Sequence, residues 1–356
     1  MKRLILIIFL LSLFCSVSFG VITNEVWYVN PTSSGGDGSS PNGNDPYASL
    51  AACLAAEVKD LQGGDGFTAT IYLAGAAADT AAVTIVNTWN TDADNWLKVI
   101  QTDLPTDGIP DWTTKYRLTA TNAAALSCSE GFVTLSLQIQ VTSTDATTAY
   151  GISFSSIDSG GSDIKIDSCI ISGVCSGTAT SYGVGSGDLD AQVTVYNTLI
   201  YGFKGQESYR AMYCYGDFDI YNCVITDCHR GIDRQGGTVT AINCAVFNNT
   251  DDLVGTITSS YTVTDDGDAG TGNIDWTAEA TDWVAAMPGY AAYNFALASD
   301  SVLSDAGNGA TPKAIFTVDI IGTTMGPADL DWPIGAFEYV AVGGSIVPIL
   351  VNIQNQ

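Results

Sequence analysis

The sequence predicts an all-β fold, a parallel β-solenoid in which short strands stack coil upon coil. One observation is a motif that recurs in four copies, which read IDSCII from residue 166, VYNTLI from residue 195, IYNCVI from residue 220 and AINCAV from residue 241. A second is that β-rich runs follow one another beyond residue 66 with no convincing helix between them. Strands without intervening helices are also usual in antiparallel sandwiches. The repeated motif therefore favours the solenoid over the sandwich.

Each copy of the motif contains a fixed polar anchor, namely Ser168, Asn197, Asn222 or Asn243. The anchors are 29, 25 and 21 residues apart, and each has alternating apolar residues before it and an apolar pair after it. A repeat of this length makes one solenoid coil, in which equivalent residues stack about 4.8 Å apart. Because Asn tolerates the left-handed backbone of a sharp bend, we predict a ladder of bends at the anchors. A chance recurrence within a sandwich is the alternative.

Cysteine follows three of the anchors, as Cys169, Cys223 and Cys244. The chain has nine cysteines, and an even number remains if Cys15 is removed with an export signal. An even number in an oxidising compartment permits disulfides, whereas one phase of a repeat stacks in a column. Disulfide pairing and a free cysteine ladder both remain open. The single histidine and the absence of a CxxC pair give a zinc site little support.

Residues 1–20 have the pattern of a secretory signal peptide. Lys2 and Arg3 precede an apolar run from Leu4 to Cys15, and the segment ends in small residues at Gly20. The run is too short to cross a bilayer comfortably, and the bulky Phe14 argues against a lipoprotein site at the next residue. We therefore expect an exported protein without a membrane span, in the periplasm, outside the cell or on its surface.

Residues 21–66 are predicted to form an N-terminal cap that contains an amphipathic helix. Asp45 is suited to cap this helix, Pro46 to occupy its first turn and Gly63-Gly64 to end it. The apolar residues between them recur at helical spacing and are Leu50, Cys53, Leu54, Val58 and Leu61. Such a helix would cover the first coil of the solenoid.

Residues 67–255 are predicted to form the coils. The early strands are expected at Thr68–Leu73, Val83–Val86, Leu97–Gln101, Tyr116–Thr119 and Val133–Val141. Residues 256–342 are predicted to form the last coils and an irregular C-terminal cap over the open end. Residues 343–356 are predicted to form an apolar tail that pairs with a sheet edge of its own chain or of a neighbour. Pairing with a neighbour would give self-association, and a disordered tail is the alternative.

Three stretches of the chain carry a family resemblance. They are the opening YVNPTSSGGDGSS with the PYASLAACLA helix, the Asn-Cys coils, and the closing DIIGTT and DWPIGAFEYV segments. Together they resemble exported right-handed parallel β-helix proteins of the pectate-lyase-like superfamily. The resemblance implies the architecture more than an activity, because this superfamily includes lyases, hydrolases, epimerases, adhesins and phage tailspikes. One departure is that Thr323-Thr324-Met325 replaces the ending of the superfamily's D-x-x-G-x-x-R pattern.

The charge composition excludes several partners. The chain has 38 acidic and 12 basic residues, a net charge of −26, and removal of Lys2 and Arg3 makes it more negative still. Nucleic acid and anionic membranes would be repelled. An acidic polysaccharide would be repelled too, unless cations or a local basic patch intervene.

A local basic patch is predicted between residues 204 and 234. Counting seven residues on from two successive anchors reaches Lys204 and His229, which should stack on neighbouring coils. A neighbouring cation favours the neutral form of either group, as a general base requires. We predict catalytic roles for Lys204, His229 and Arg230. Predicted ligand-binding residues are Arg210, Arg234, Tyr209, Glu207, Asp227 and Asp233. Either these carboxylates neutralise the patch or the patch binds an anionic ligand. The alternative to a functional site is that these residues form an ordinary solvated face.

The stretch TDDGDAGTGNID from residue 264 suggests a calcium site at Asp265, Asp266 and Asp268. It lacks the spacing and the closing Glu of an EF-hand, so a solvated acidic loop is the alternative. No other cofactor is predicted.

Two functions follow from these patterns. The first is a secreted β-helix protein that binds an extended carbohydrate, a polysaccharide or a cell-surface glycan, along its solenoid face. The alternative is a carbohydrate-active enzyme, a polysaccharide lyase that acts on an anionic glycan. The lack of a complete catalytic motif favours binding, whereas the basic patch favours the lyase.

Overall fold

The computed structural model describes residues 24–58, 61, 67–105, 110–157, 162–268, 270–275, 307 and 335. In these residues the chain forms a right-handed parallel β-helix, which confirms the predicted fold class. Each coil contributes strands to sheets that we name A, B and C, and the paired strands of these described coils are all parallel. We number the strands β1 to β25 along the chain.

Sheet A runs the length of the described solenoid. Within that part of the chain its nine strands, in spatial order, are β1 (Glu25–Val29), β2 (Thr68–Leu73), β5 (Trp96–Gln101), β8 (Val133–Ser136), β11 (Ile164–Asp167), β14 (Gln192–Tyr196), β17 (Asp217–Tyr221), β20 (Val239–Ile242) and β23 (Thr258–Ser260). The inward residues of the repeated motif stack in one row, from Ile166 through Val195 and Ile220 to Ala241. All four are fully buried, so the alternating apolar pattern fills the core.

Sheet B follows sheet A around each coil. Its nine described strands are β3 (Ala78–Asp79), β6 (Arg117–Thr121), β9 (Gln138–Ser143), β12 (Ile170–Cys175), β15 (Leu199–Tyr201), β18 (Val224–Thr226), β21 (Ala245–Phe247), β24 (Val263–Thr264) and β25 (Ile274–Asp275). The apolar pair after each anchor lies in this sheet. Its second residue points into the core, as Ile171, Ile200 and Ile225 do.

Sheet C closes the coil. Its seven strands among the described residues are β4 (Val83–Ile85), β7 (Ala124–Cys128), β10 (Ala149–Phe154), β13 (Ser181–Ser186), β16 (Tyr209–Cys214), β19 (Arg230–Arg234) and β22 (Asp251–Val254). Ile152, Val184, Met212 and Ile232 lie in register and fill the core from this side.

The anchors form the bends between sheets A and B. Ser168, Asn197, Asn222 and Asn243 have φ angles of 55°, 51°, 49° and 57°, the left-handed region that Asn tolerates. Each anchor amide donates to a carbonyl of the next coil, for example from Asn222 to Ile242 at 3.1 Å. The Asn243 side-chain amide also donates to Asn222 Oδ1 at 3.2 Å. The bend is therefore hydrogen-bonded from coil to coil.

The cysteines of the ladder, Cys169, Cys223 and Cys244, are buried beside these bends. All eight cysteines beyond residue 20 carry free thiols. Burial raises the pKa of the Cys169 thiol to about 12, and the Cys223 thiol donates to the Tyr221 carbonyl at 3.3 Å. These fully buried side chains act as small apolar residues of the core.

The predicted strand over residues 133–141 is wrong, because the chain bends within it and forms β8 and β9. Leu135 pairs with Ile166, and Gln138 pairs with Ile170. Two residues therefore make this bend where three make it in the next coil, and no polar anchor is present. The bend contains the buried Leu137 instead of an Asn, so the recurring Asn motif does not mark this bend.

The helix of the N-terminal cap, α1, spans Leu50–Glu57 and is shorter than predicted. Asp45 does not cap it, because Tyr47 is still extended: the Tyr47 amide donates to the Tyr28 carbonyl at 2.9 Å. Ser49 is the cap instead, since its hydroxyl accepts from the Ala52 amide at 3.1 Å. The helix ends before Val58, which leaves the helical conformation and is exposed.

A buried carboxylate fixes this helix to the solenoid. Asp79 lies in sheet B and accepts from the Leu50 amide at 2.7 Å and from the Tyr116 hydroxyl at 3.1 Å. The buried side chains Leu50, Cys53 and Leu54 form one face of the helix. One face therefore covers the first coils, as a cap requires.

The predicted signal peptide and apolar tail lie outside the described residues, as does most of the predicted C-terminal cap. The described solenoid extends to Asp275. Gly335, from the closing motif, donates its amide to the Asn243 carbonyl at 2.7 Å. Among the helices that the structure describes, none has the length and apolarity needed to cross a membrane.

Candidate functional site

The outer face of sheet C gathers aromatic and charged side chains in two rows that run from coil to coil. The strand register places Tyr150, Tyr182, Arg210 and Arg230 in the first row. The second row contains Ser153, Gly185, Tyr213 and Asp233. The two rows lie on the same face, because Tyr182 of the first row contacts the Tyr213 ring of the second and Arg210 pairs with Asp233. The core side chains of this sheet lie between the rows and point the other way, so both rows face outward.

Tyr150, Tyr182 and Tyr213 form a continuous group, which we name the tyrosine stack. The ring centroids of Tyr150 and Tyr182 are 4.9 Å apart, and those of Tyr182 and Tyr213 are 5.0 Å apart. Gly185 makes room for it, since a β-carbon there would lie 2.8 Å from the Tyr150 ring. Each ring thus covers part of its neighbour, and Tyr182 in the middle is 8% exposed.

Arg210 extends the stack on one side. Its guanidinium carbon lies 5.5 Å from the ring centroid of Tyr182 and 5.3 Å from that of Tyr213, within the range of a cation–π contact. The guanidinium group also donates to the Ser208 carbonyl at 2.7 Å. These contacts fix the orientation of Arg210.

Asp233 joins two of the predicted cations. Arg210 and Arg230 both donate to its Oδ2, the latter at 2.9 Å, and Gln235 donates to its Oδ1 at 2.5 Å. Burial opposes ionisation of this fully buried carboxyl group, but the bonds from the two arginines and from Gln235 outweigh it and lower the pKa of Asp233. Arg230 also approaches Asp251 at 3.8 Å. The two arginines therefore have carboxylate partners within the protein.

Lys204 and His229 lie on neighbouring coils, since the His229 amide donates to the Phe203 carbonyl at 2.7 Å. The Lys204 ammonium group, however, is bound by both oxygens of Asp227, at 2.6 and 2.7 Å. This ion pair stabilises the charged ammonium, the opposite of what a general base requires. The catalytic roles predicted for Lys204, His229 and Arg230 remain predictions.

The other predicted ligand-binding residues are scattered. Arg234 donates to the Gly237 carbonyl at 2.8 Å, and Glu207 is exposed. Tyr209 is fully buried, and its hydroxyl donates to the Gly177 carbonyl at 2.6 Å. This position turns Tyr209 away from the outer surface, and its ligand-binding role remains a prediction. Its place in β16 turns it inward while the next residue, Arg210, faces outward.

The acidic stretch after β24 bonds to the backbone. Asp265 accepts from the Asn248 amide at 2.9 Å, Asp266 from the Asp252 amide at 2.9 Å and Asp268 from the Leu253 amide at 3.1 Å. Asp266 and Asp268 therefore take the place of a further strand along β22. Among the described residues, no group of three or more His, Cys, Asp or Glu side chains is arranged to hold a metal ion. The calcium site thus gains no support from this geometry.

Sequence reasoning missed the tyrosine stack. A signal for it exists, because Tyr-Gly precedes the core residues Ile152 and Val184, and Arg-Ala and Arg-Gly precede Met212 and Ile232. This second phase of the repeat marks sheet C. The Asn-containing phase does not indicate it, because the anchors mark the bends between sheets A and B.

Comparisons with known proteins add a likeness to a solved structure. No family model matches the chain, and no curated protein matches it. Among solved structures the chain is similar to the crystal structure of pectate lyase Pel9A, with 15% sequence identity and a TM-score of 0.41. The match covers 90% of this chain and 98% of that chain. At this identity and score the likeness carries no argument about activity, so the function has to be argued from the residues themselves.

Proposed function

We propose that this protein binds an extended carbohydrate along the outer face of sheet C. The observation that carries the proposal is the tyrosine stack with Arg210 against it, displayed on a face whose rows run from coil to coil. Aromatic surface with a few oriented polar groups is the usual composition of a ligand site. Tyrosine provides both an apolar ring and a hydroxyl group, which suits the apolar faces and hydroxyls of a sugar.

The direction of the rows suits a polymer. Neighbouring strands are about 4.8 Å apart, so a chain lying across the strands meets an equivalent position on each coil. The stacked rings cover much of one another, and the stack offers mainly ring edges and phenol hydroxyls to a ligand. Arg210 adds guanidinium donors held in place by Asp233. An extended glycan could therefore make repeated contacts without a deep pocket.

Binding is better supported than a lyase reaction. A lyase needs a base that accepts a proton from the sugar ring. In this structure Lys204 pairs with Asp227, and Arg210 and Arg230 pair with Asp233. These carboxylate contacts occupy and orient the three cationic groups, so the groups are placed as hydrogen-bond donors rather than as bases.

Export is part of the proposal. A signal peptide over residues 1–20 would place the protein in the periplasm, outside the cell or on its surface, where polysaccharides and cell-surface glycans are met. The excess of acidic residues suits such a setting better than contact with nucleic acid.

A polysaccharide panel tests the proposal. The purified protein is run by affinity electrophoresis through gels that contain neutral or acidic polysaccharides, and the same mixtures are followed at about 235 nm, where the unsaturated product of β-elimination absorbs. We expect at least one polysaccharide to retard the protein, with no new absorbance. Retardation by none would contradict binding, and new absorbance would show the lyase instead.

A further inference from the structure

The charges on the outer face of sheet C cancel within the protein. Arg210 and Arg230 share Asp233, whose side chain is fully buried between them, and Arg230 also approaches the exposed Asp251. These four side chains, two arginines and two aspartates, carry no net charge together. On the adjoining turn, Asp227 neutralises Lys204. The basic patch that the sequence suggests is therefore largely neutralised on the folded surface, where Arg234 is bonded to the Gly237 carbonyl rather than to a carboxylate.

The wider field of the protein does not restore a positive charge. The chain carries 38 acidic and 12 basic residues, and Glu207 is an exposed carboxylate near the patch in sequence. A uronate or sulfated polymer approaching sheet C would meet no uncompensated cation in these two rows. It would also meet repulsion from the protein as a whole.

Tyr150 is the last ring of the tyrosine stack on the side of the earlier coils. Tyr150 pairs in register with Tyr182 on one side and with Ala124 on the other. Alanine is too small to cover an aromatic ring, so Tyr150 keeps one ring face that the stack does not cover. The uncharged C–H face of a sugar ring fits against such a surface, because the ring is apolar and carries a partial negative charge on its face.

We propose that the ligand of sheet C is a neutral polysaccharide, with one sugar ring packed against Tyr150 and with Arg210 acting as a hydrogen-bond donor. This inference rests on the proposed function and narrows its ligand class. In this arrangement Asp233 has a defined role: it holds Arg210 against the tyrosine stack and removes the attraction that an acidic glycan would otherwise feel.

The test compares polymers with one backbone and two charge states. Each acidic polysaccharide of the panel is assayed beside its carboxyl-reduced form, in which the uronates have become neutral hexoses, and the neutral polysaccharides are assayed alone. We expect a neutral or carboxyl-reduced polymer to bind at least about tenfold more tightly than any acidic parent. Its affinity should change less than about twofold between roughly 0.05 and 0.5 M NaCl, since no ion pair forms. Tyr150→Ala should lower that affinity about tenfold, while Tyr150→Phe should retain most of it.

Charge-unmasking variants provide a second readout. Asp227→Asn removes the carboxylate partner of the partly exposed Lys204, and Asp233→Asn removes the carboxylate that Arg210 and Arg230 share. Either variant should gain salt-sensitive binding to the acidic parent polysaccharides. If Asp233→Asn does not fold, Asp227→Asn alone tests this prediction. An acidic parent that binds the wild type more tightly than its reduced form, with affinity falling as salt rises, overturns the neutral-ligand inference and leaves glycan binding intact. Binding to no polymer overturns the proposed function itself.

Discussion

Gly183→Val is expected to prevent the β-helix from folding stably. A β-carbon on Gly183 would lie 2.6 Å from the Ala211 carbonyl oxygen and 2.7 Å from Ile200 Cγ2. The first contact is with backbone of the next coil and the second is with sheet B, so neither can move without displacing a strand. We expect a loss of at least about 3 kcal/mol in the free energy of unfolding, or no soluble protein.

Gly187→Val is the matched control for this prediction. Gly187 follows the same strand, and a β-carbon there would meet nothing within 4 Å. The free energies of unfolding of the two variants, measured in urea, should therefore differ by about 3 kcal/mol or more. That of Gly187→Val should lie within about 0.5 kcal/mol of the wild type. Equal stability of both variants would mean that the sheets do not approach as closely as described.

Asp252→Asn is expected to reduce the loss of stability that the wild type shows as pH rises. Burial and then contact with the Asp265 carboxyl raise the pKa of Asp252 to about 8. In the unfolded chain an aspartate titrates at about 3.9, so the folded state holds a proton that the unfolded state has released between these values. This contribution to stability is complete below about pH 4 and is lost as pH rises towards about 8.

One neighbouring carboxyl group shares this behaviour. Burial and the Asp266 carboxyl raise the pKa of Asp268 to about 6, which adds a smaller loss in the lower part of the same window. Asp251, the first residue of β22, pairs with Arg230 of the neighbouring strand β19 at 3.8 Å. Asparagine is neutral at every pH, so the Asp252→Asn variant lacks the main titrating group while its side chain keeps nearly the same shape.

Urea unfolding at a series of pH values from about 4 to 9 measures this effect. The wild type should lose on the order of 2 kcal/mol more than Asp252→Asn across the window. Asp94→Asn, on an exposed turn, is the control and should follow the wild-type curve. Parallel curves for the wild type and Asp252→Asn would contradict the raised pKa of Asp252.

The fold could be predicted because the bends impose a local requirement. Each bend position requires a residue that tolerates a positive φ and can hydrogen-bond to the next coil, and few residue types do both. The bends at Asn197, Asn222 and Asn243 meet this requirement. Where the requirement is relaxed, the prediction failed. The bend at Leu137 has one residue fewer and needs no Asn, so a single strand was predicted there.

The site was harder to predict because its chemistry depends on partners in other coils. Arg210 and Asp233 are 23 residues apart in the chain yet their side chains are hydrogen-bonded. Counting cations along the sequence finds Arg210 and Arg230 but not the carboxylate between them. The tyrosine stack also depends on register, since Tyr182 lies opposite Arg210 and its ring reaches Tyr213.

The affinity of a Tyr182→Ala variant, compared with that of Tyr72→Ala, tests the central claim most directly. Tyr28 and Tyr72 form a comparable ring pair on sheet A, with centroids 5.7 Å apart, so Tyr72→Ala removes a similar contact from a different face. Affinity is measured by calorimetry on the polysaccharide that retards the protein in the panel, after both variants are shown to be folded. The account predicts at least about tenfold weaker binding for Tyr182→Ala and less than about twofold change for Tyr72→Ala. Equal affinities, or a larger loss for Tyr72→Ala, would contradict it and move the ligand away from sheet C.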